Sequence, residues 1–122
     1  MKVEIRESGY RRLIVWIEAR NLTVLVYKLT NNFPKSEEYG LKGQMRRASV
    51  SVMSQIAEGW LRRSKKDKLH YLEISEGSLL ELESHAEVAK AVGYWKDDEY
   101  DELNIQRNKV SFLLFRYKSS IK

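Results

Sequence analysis

The side chains that most invite acid–base catalysis or metal binding are Glu58, Glu81 and Glu83 together with the two histidines, His70 and His85. Di-iron helical bundles hold their metals with glutamates and Glu-x-x-His units on facing helices. Neither histidine here lies three residues after a glutamate, so that ligand set is not formed. Glu81 and His85 are four residues apart, which suits two zinc ligands on one helix, but no third ligand is evident. We therefore expect no metal site.

Other catalytic and membrane signals are also missing from the sequence. It has no cysteine, which excludes thiol nucleophiles and cysteine-bound metals and suits a reducing compartment. It has neither a glycine-rich phosphate loop nor a nucleophile motif. The apolar run at residues 13–17 is far shorter than the roughly 20 residues that span a bilayer. We expect a cytoplasmic protein that is not an enzyme, uses no cofactor and has no membrane partner.

The basic side chains are more informative, because they are unevenly distributed. Residues 1–64 carry 12 basic and 6 acidic side chains, whereas residues 65–122 carry 10 and 11. Such clusters suit phosphate contacts, although a turn between helices is also often lysine-rich simply because it is solvated. We expect the densest cluster, residues 62–68, at one end of the molecule, and Arg11, Arg12, Lys35 and Lys42 at the other. The candidate nucleic-acid-binding residues are Arg62, Arg63, Lys65, Lys66, Lys68, Arg11, Arg12, Lys35, Lys42 and Arg46.

Four segments with helical periodicity must position these residues. Apolar residues recur every three or four positions over about 11–32, 36–62, 65–92 and 98–119. The breaks contain Pro34, a Ser64-to-Asp67 capping pattern, Gly93 and an Asp97-Asp98 pair. Because the connections are short, neighbouring helices must run antiparallel. The sequence predicts one all-α domain over 1–122, an up-down-up-down four-helix bundle.

Several apolar and aromatic residues exceed what one bundle core needs. The first helix offers residues 13–17 all round, and the fourth offers 112–115 consecutively, so we expect these two helices to mediate self-association. Trp60, Tyr71, Tyr94 and Trp95 lie near predicted helix ends, where a base could stack on any ring that is exposed.

The antiparallel register between the second and third helices also predicts contacts. With the turn near Ser64, Arg47 lies level with Glu81, and we expect an inter-helix ion pair. Ser51 lies near Gly77 and Ser78, which would let the two backbones approach closely. This interpretation makes Arg47, Ser51, Ser78 and Glu81 structural polar residues rather than catalytic ones.

An ordered set of short motifs resembles a known family. They are Leu13 to Ala19, Phe33-Pro34, Tyr39-Gly40-Leu41, Gln44, Arg46-Arg47-Ala48, Ser51, Ile56-Ala57-Glu58-Gly59, Gly77-Ser78-Leu79, Glu81-Leu82-Glu83 and Gly93-Tyr94. Together they are similar to the bacterial four-helix-bundle proteins encoded in intervening sequences of large-subunit ribosomal RNA genes, and to the accessory variability determinants of diversity-generating retroelements. The resemblance implies a ring-shaped homopentamer and, for the retroelement branch, partnership with a reverse transcriptase and its template RNA. Gln55 stands where the family usually has asparagine.

These observations predict a non-enzymatic, oligomeric accessory protein that binds RNA or other nucleic acid without sequence preference. A retroelement reverse transcriptase is the best candidate for its protein partner. The alternative is a structural ring that binds only proteins, and a more remote one is a metal-dependent enzyme using the carboxylates of the third helix.

Overall fold

The computed structural model describes residues 9–122, which form four long helices joined by short loops. The long helices are α1 (Ile14–Thr30), α2 (Leu41–Leu61), α3 (Lys65–Ala91) and α4 (Asp97–Ser120). Short 3₁₀ helices cover Gly9–Arg12 and Lys35–Glu37. Since no strand occurs within residues 9–122, the predicted all-α class is confirmed.

The helices form a closed cycle in which each one packs against its two neighbours, α1 against α2 and α4, and α3 against α2 and α4. Contacts across the seams show the antiparallel register. The hydroxyl of Ser78 on α3 donates to that of Ser51 on α2 at 2.8 Å. Across the α1–α4 seam, Gln106 donates to the backbone carbonyl of Glu18 at 3.0 Å. The predicted up-down-up-down bundle is therefore confirmed.

The core is aliphatic along its length and aromatic at one end. Every helix contributes side chains with no exposed surface, among them Leu22, Ile56, Leu82 and Leu114. Burying such side chains supplies most of the stability of a helical bundle, because the loops contribute little apolar area. Trp95, in the loop between α3 and α4, seals the end of this core.

The predicted starts of the first two helices differ from the observed ones. A 3₁₀ turn precedes α1, and Leu13 between them is extended with φ −72° and ψ 123°. The second helix begins at Leu41 rather than at Ser36, because a 3₁₀ turn forms first and the Glu37 carboxylate then accepts the Leu41 backbone N–H at 3.1 Å. Gly40 occupies the N-cap position, and the Glu37 side chain satisfies the first free N–H of α2.

The last two helices lie close to their predicted bounds. Ser64 caps α3 by accepting the Asp67 backbone N–H at 3.1 Å. Gly93 ends the α3 region with φ +85°, the left-handed conformation that favours glycine. Lys96, not Asp97 or Asp98, occupies the N-cap position of α4, and the Glu99 carboxylate accepts its backbone N–H at 3.0 Å.

Candidate nucleic-acid interface

The turn between α2 and α3 is fixed by a close approach of the two helices. A Cβ atom on Gly59 would lie 3.2 Å from the Cβ of Tyr71 and 3.3 Å from the backbone oxygen of Lys68. These contacts are tighter than a Cβ atom normally makes, so glycine allows the two helices to approach closely here. The arrangement places residues 62–68 together at one end of the bundle.

This turn end comprises residues 9–12 and 58–69, and seven of its side chains are basic while two are acidic. The two segments are in contact, because the rings of Tyr10 and Trp60 have centroids 6.5 Å apart. Arg11 and Arg12 therefore lie at the same end as the 62–68 cluster. The predicted placement at the opposite end was wrong, since in an antiparallel bundle α1 begins where α2 finishes.

Two of the cations at the turn end are engaged in holding the fold. The Arg62 guanidinium donates at 3.0 Å to the Glu58 carboxylate and at 3.0 Å to the Tyr71 hydroxyl, and it lies 4.6 Å from the centre of the Tyr71 ring. The Lys68 ammonium donates to the backbone carbonyl of Trp60 at 2.9 Å, which satisfies a carbonyl in the last turn of α2.

Three other cations, Arg63, Lys65 and Lys66, are exposed. Within residues 9–122 none of them forms an ion pair or a side-chain hydrogen bond with another residue. Lys65 and Lys66 are the first two residues of α3, where the positive end of the helix dipole disfavours a positive charge. Their presence at this position therefore has no structural explanation.

The opposite end of the bundle is acidic. This acidic end comprises residues 31–40 and 92–102, with seven acidic and two basic side chains. The expectation of basic density at both ends was wrong. The segment that carries Lys35 also carries Glu37 and Glu38, and the first turn of α4 at the same end is acidic.

Three of the candidate binding residues lie in or near this acidic end, and two of them have structural partners. Lys42 pairs with Glu38 at 3.0 Å, and this contact lowers the pKa of the Glu38 carboxyl. Arg46 donates to the Thr30 hydroxyl at 3.0 Å and lies 4.3 Å from the centre of the Tyr27 ring. Lys35 is exposed. The structure thus brings seven of the ten candidates together and separates these three from them.

The predicted inter-helix polar contacts are present in part. Ser51 and Ser78 meet as expected, whereas a Cβ on Gly77 would have no atom within 4 Å, so Gly77 takes no part in the close approach. Arg47 and Glu81 are both exposed, and the predicted ion pair between them is absent. Both remain hydrated on the rim of the α2–α3 seam, where an ion pair would gain little.

Two further sequence-based expectations concern Gln55 and the metal chemistry. The amide oxygen of Gln55 is buried and has no hydrogen-bond partner among the described residues. The Glu81 carboxylate lies 3.8 Å from His85 Nε2, and residues 9–122 contain no group of three or more His, Asp or Glu side chains that could hold a metal ion. No helix in this part of the chain is long and apolar enough to cross a membrane.

The aromatic residues near the helix ends differ sharply in exposure. Trp95 is only 3% exposed and its indole N–H donates to the Leu29 carbonyl at 2.7 Å, while the Tyr94 hydroxyl donates to Glu37 at 2.8 Å. These two rings are therefore engaged in the fold and do not offer a stacking face. Trp60 is 39% exposed at the turn end, and Tyr71 beside it is covered by Arg62.

A set of aromatic and basic residues next to Trp60 was not among the predicted site residues. The rings of Tyr10 and Trp16 have centroids 5.1 Å apart, and the Arg20 guanidinium lies 5.6 Å from the centre of the Trp16 ring. The sequence pattern that could have indicated them is the pairing of aromatic residues with arginines, Tyr10 next to Arg11 and Trp16 four residues before Arg20.

A family model described as "23S rRNA-intervening sequence protein" matches residues 11–116. The chain belongs to this family. The matched family corresponds to the ribosomal branch of the resemblance, and no finding extends it to the retroelement determinants. No curated protein matches the sequence significantly.

Among solved structures, one protein has a similar fold. A protein of unknown function from the S23 ribosomal protein family of Bacteroides thetaiotaomicron superposes with a TM-score of 0.77. It shares 21% sequence identity, and the alignment covers 88% of this chain and 100% of that one. At this identity the likeness supports the bundle fold alone.

Proposed function

We propose that this family member is a non-enzymatic, cytoplasmic accessory protein whose turn end binds the phosphate backbone of RNA. The observation that carries the proposal is the position of Lys65 and Lys66, exposed and without ion-pair partners within residues 9–122, at the start of a helix that disfavours positive charge. Charges kept against the structural preference of their site are expected to serve binding. Arg11, Arg12 and Arg63 add three exposed cations to the same end.

The surface chemistry favours phosphate over other acidic partners. Exposed lysine and arginine side chains contact phosphates as flexible point charges and forks, and such contacts give affinity without reading sequence. The family description, "23S rRNA-intervening sequence protein", names ribosomal RNA, which makes this RNA the first one to test. Binding without sequence preference and with strong salt dependence is the expected behaviour.

A pair of matched double variants tests the proposal. Lys65→Glu with Lys66→Glu changes the turn end, and Lys35→Glu with Lys96→Glu makes the same change in net charge at the acidic end. Binding of a structured RNA is measured by filter retention across a salt series. We expect the turn-end variant to lose more than about tenfold in affinity and to show a shallower dependence on salt, by about one in log–log slope for each lysine–phosphate interaction removed. The control variant should keep most of the wild-type affinity.

Stability measurements on the same variants separate binding from folding. Replacing lysine by glutamate in the first turn of α3 should leave the free energy of unfolding unchanged or raise it, by about 0.3–1 kcal/mol for each site, because negative charge complements the helix dipole. Equal loss of RNA binding in both double variants would contradict the proposal. Absence of RNA binding in the wild-type protein would instead favour the alternative, a structural protein with protein partners only.

We also propose that copies of the chain associate through the outward faces of α1 and α4. These faces expose large apolar side chains, namely Ile14, Val24, Ile105, Phe112 and Phe115. Patches of this kind usually mark an interface. The resemblance implies a ring of five copies. In such a ring the turn end would be repeated in every copy, and the positive field around it would grow with copy number.

Sedimentation at micromolar concentration tests this association, with Phe112→Asp as the variant that should dissociate the assembly and Val50→Asp on α2 as its control. A monomeric wild-type protein in this experiment would contradict the proposed association. The most specific part of the proposal is a partnership with a reverse transcriptase. Co-purification of the two proteins that depends on RNA would support it.

A further inference from the structure

A groove beside the basic cluster of the turn end is lined by Tyr10, Ala57, Glu58, Trp60 and Leu61, with a volume of about 270 Å³. One edge of the Trp60 indole rests on Gly9, since a Cβ there would lie 3.0 Å from a ring carbon. The Tyr10 ring meets Trp60 edge to face. These contacts hold the indole in place while 39% of Trp60 stays open to solvent. A rigid, half-open aromatic ring is suited to stacking.

Resting on the proposed function, we propose that this groove takes one unpaired base of an RNA strand, stacked on Trp60, while the neighbouring phosphates lie on the exposed cations. The chemical class of the ligand is therefore single-stranded RNA, or the single-stranded loop of a folded RNA. Stacking of this kind accepts any base, because every base has a π face.

The charges around the groove determine which part of the nucleotide enters it. The Glu58 carboxylate lines the groove, and although it accepts from Arg62 at 3.0 Å, its side chain is about half exposed, at 49%. Its negative charge repels a phosphate, but its oxygens can accept N–H groups from the edge of a base. Leu61, which is 67% exposed, adds apolar area next to Trp60. The groove thus suits a base rather than the backbone.

Cations flank the groove on both sides along the chain. Arg63 lies two residues after Leu61 and is followed by Lys65 and Lys66. On the Tyr10 side, a second groove of about 290 Å³ is lined by Arg11, Trp16, Ile17 and Arg20, and the Arg11 guanidinium lies 5.5 Å from the centre of the Tyr10 ring. A strand that places a base on Trp60 therefore meets positive charge before and after it.

Duplex RNA cannot use the groove in this way. Its bases are stacked and paired inside the A-form helix, so no base apart from those of the terminal pairs shows a face to a side chain. A duplex would still bind the exposed lysines and arginines through its phosphates. The contribution of Trp60 should therefore appear with single strands and vanish with duplexes.

The experiment compares a 12-nucleotide single-stranded RNA with a blunt duplex of the same sequence by fluorescence anisotropy. Trp60→Ala should weaken single-strand binding by about tenfold and change duplex binding by less than about twofold. Trp60→Phe, which keeps an aromatic face, should retain most of the single-strand affinity. Leu80→Ala is the control for the removal of exposed apolar area, because Leu80 on α3 is 64% exposed and lies outside the groove, and it should leave the ratio of the two affinities unchanged.

The outcomes separate this inference from the function on which it rests. If the wild-type protein binds both RNAs and Trp60→Ala weakens both equally or neither, the stacking site is wrong and phosphate binding stands. If the wild-type protein binds neither RNA, the proposed function fails and the inference fails with it. Should Trp60→Ala fold poorly, Trp60→Phe and Trp60→Leu give the same comparison, because they differ mainly in the aromatic face.

Discussion

The two ends of the bundle carry opposite charge for different reasons. The acidic end has seven acidic and two basic side chains, and the turn end has the reverse. Several acids at the acidic end have a structural use, since Glu37 and Glu99 accept backbone N–H groups at helix starts and Asp97 and Asp98 lie in the first turn of α4. Of the seven cations at the turn end, only Arg62 and Lys68 donate side-chain hydrogen bonds to other described residues.

In this bundle, the charges that folding does not explain are the candidates for function. A charge that caps a helix or neutralises its dipole is explained by folding, whereas Lys65 and Lys66 act against the dipole of α3. The tryptophans repeat the contrast, because Trp95 at the acidic end is part of the core and Trp60 at the turn end is not. The charges of the acidic end contribute to folding, whereas Lys65 and Lys66 at the turn end have no such explanation.

The largest change in the free energy of unfolding is expected when the tryptophan at one end or the other is replaced by alanine. Trp95→Ala should lower the free energy of unfolding by about 3–5 kcal/mol, because it leaves a cavity at the end of the core and the Leu29 carbonyl without its donor. Trp60→Ala should cost about 1–2 kcal/mol, since more than a third of that ring is already in water. Urea denaturation measures both. Equal costs would mean that the ends do not differ in this way.

The next effect concerns how the helices begin at the two ends. At the turn end Ser64 caps α3 with its hydroxyl, so Ser64→Ala should cost about 1 kcal/mol. At the acidic end Lys96 occupies the N-cap of α4, a position that favours small polar residues. Lys96→Ser should therefore stabilise the protein by about 0.5–1 kcal/mol in thermal denaturation. A loss of stability in Lys96→Ser would show that the lysine has a structural role.

Much of the fold follows from local patterns in the sequence. The Ser64 cap, the left-handed Gly93 and the apolar periodicity indicate α3 nearly to the residue. The predicted start of α2 was wrong because Glu37, the last residue of a 3₁₀ turn, accepts the first free N–H of the helix. Phe33, just before this turn, packs against Tyr94, whose hydroxyl donates to Glu37. That packing is a contact between distant segments, which periodicity does not report.

The candidate site was predictable in composition but not in layout. The cluster at 62–68 is plain from its charges, whereas the contact of Tyr10 with Trp60 and the engagement of Arg46 by Thr30 depend on tertiary packing. The placement of Arg11 was an error of topology, since the order of the helices already puts the start of α1 beside the end of α2. Exposure of Trp60 against burial of Trp95 could not be distinguished from spacing, because both lie at helix ends.

The smallest expected effect is a dependence of stability on pH that arises at the acidic end. Hydrogen bonds from the Leu41 backbone and then from the Tyr94 hydroxyl hold the pKa of Glu37 below its ordinary value of 4.5. A carboxyl whose pKa is lowered on folding stabilises the protein above its unfolded pKa, and this stabilisation disappears as the pH falls through the folded pKa. The contribution of Glu37 should therefore be present at neutral pH and decline below about pH 4.5.

Glu37→Gln should remove this contribution, so that the difference in melting temperature from the wild type is visible at about pH 7 and shrinks towards about pH 3. Tyr94→Phe, which removes one of the two hydrogen bonds and leaves the Leu41 contact, should give a smaller difference of the same sign. Ser64→Ala at the turn end is the control, because its cap involves no titrating carboxyl acceptor and its cost should stay constant across that range. A constant difference for Glu37→Gln would instead assign its effect to altered packing, and the carboxylate would then have no special role at the acidic end.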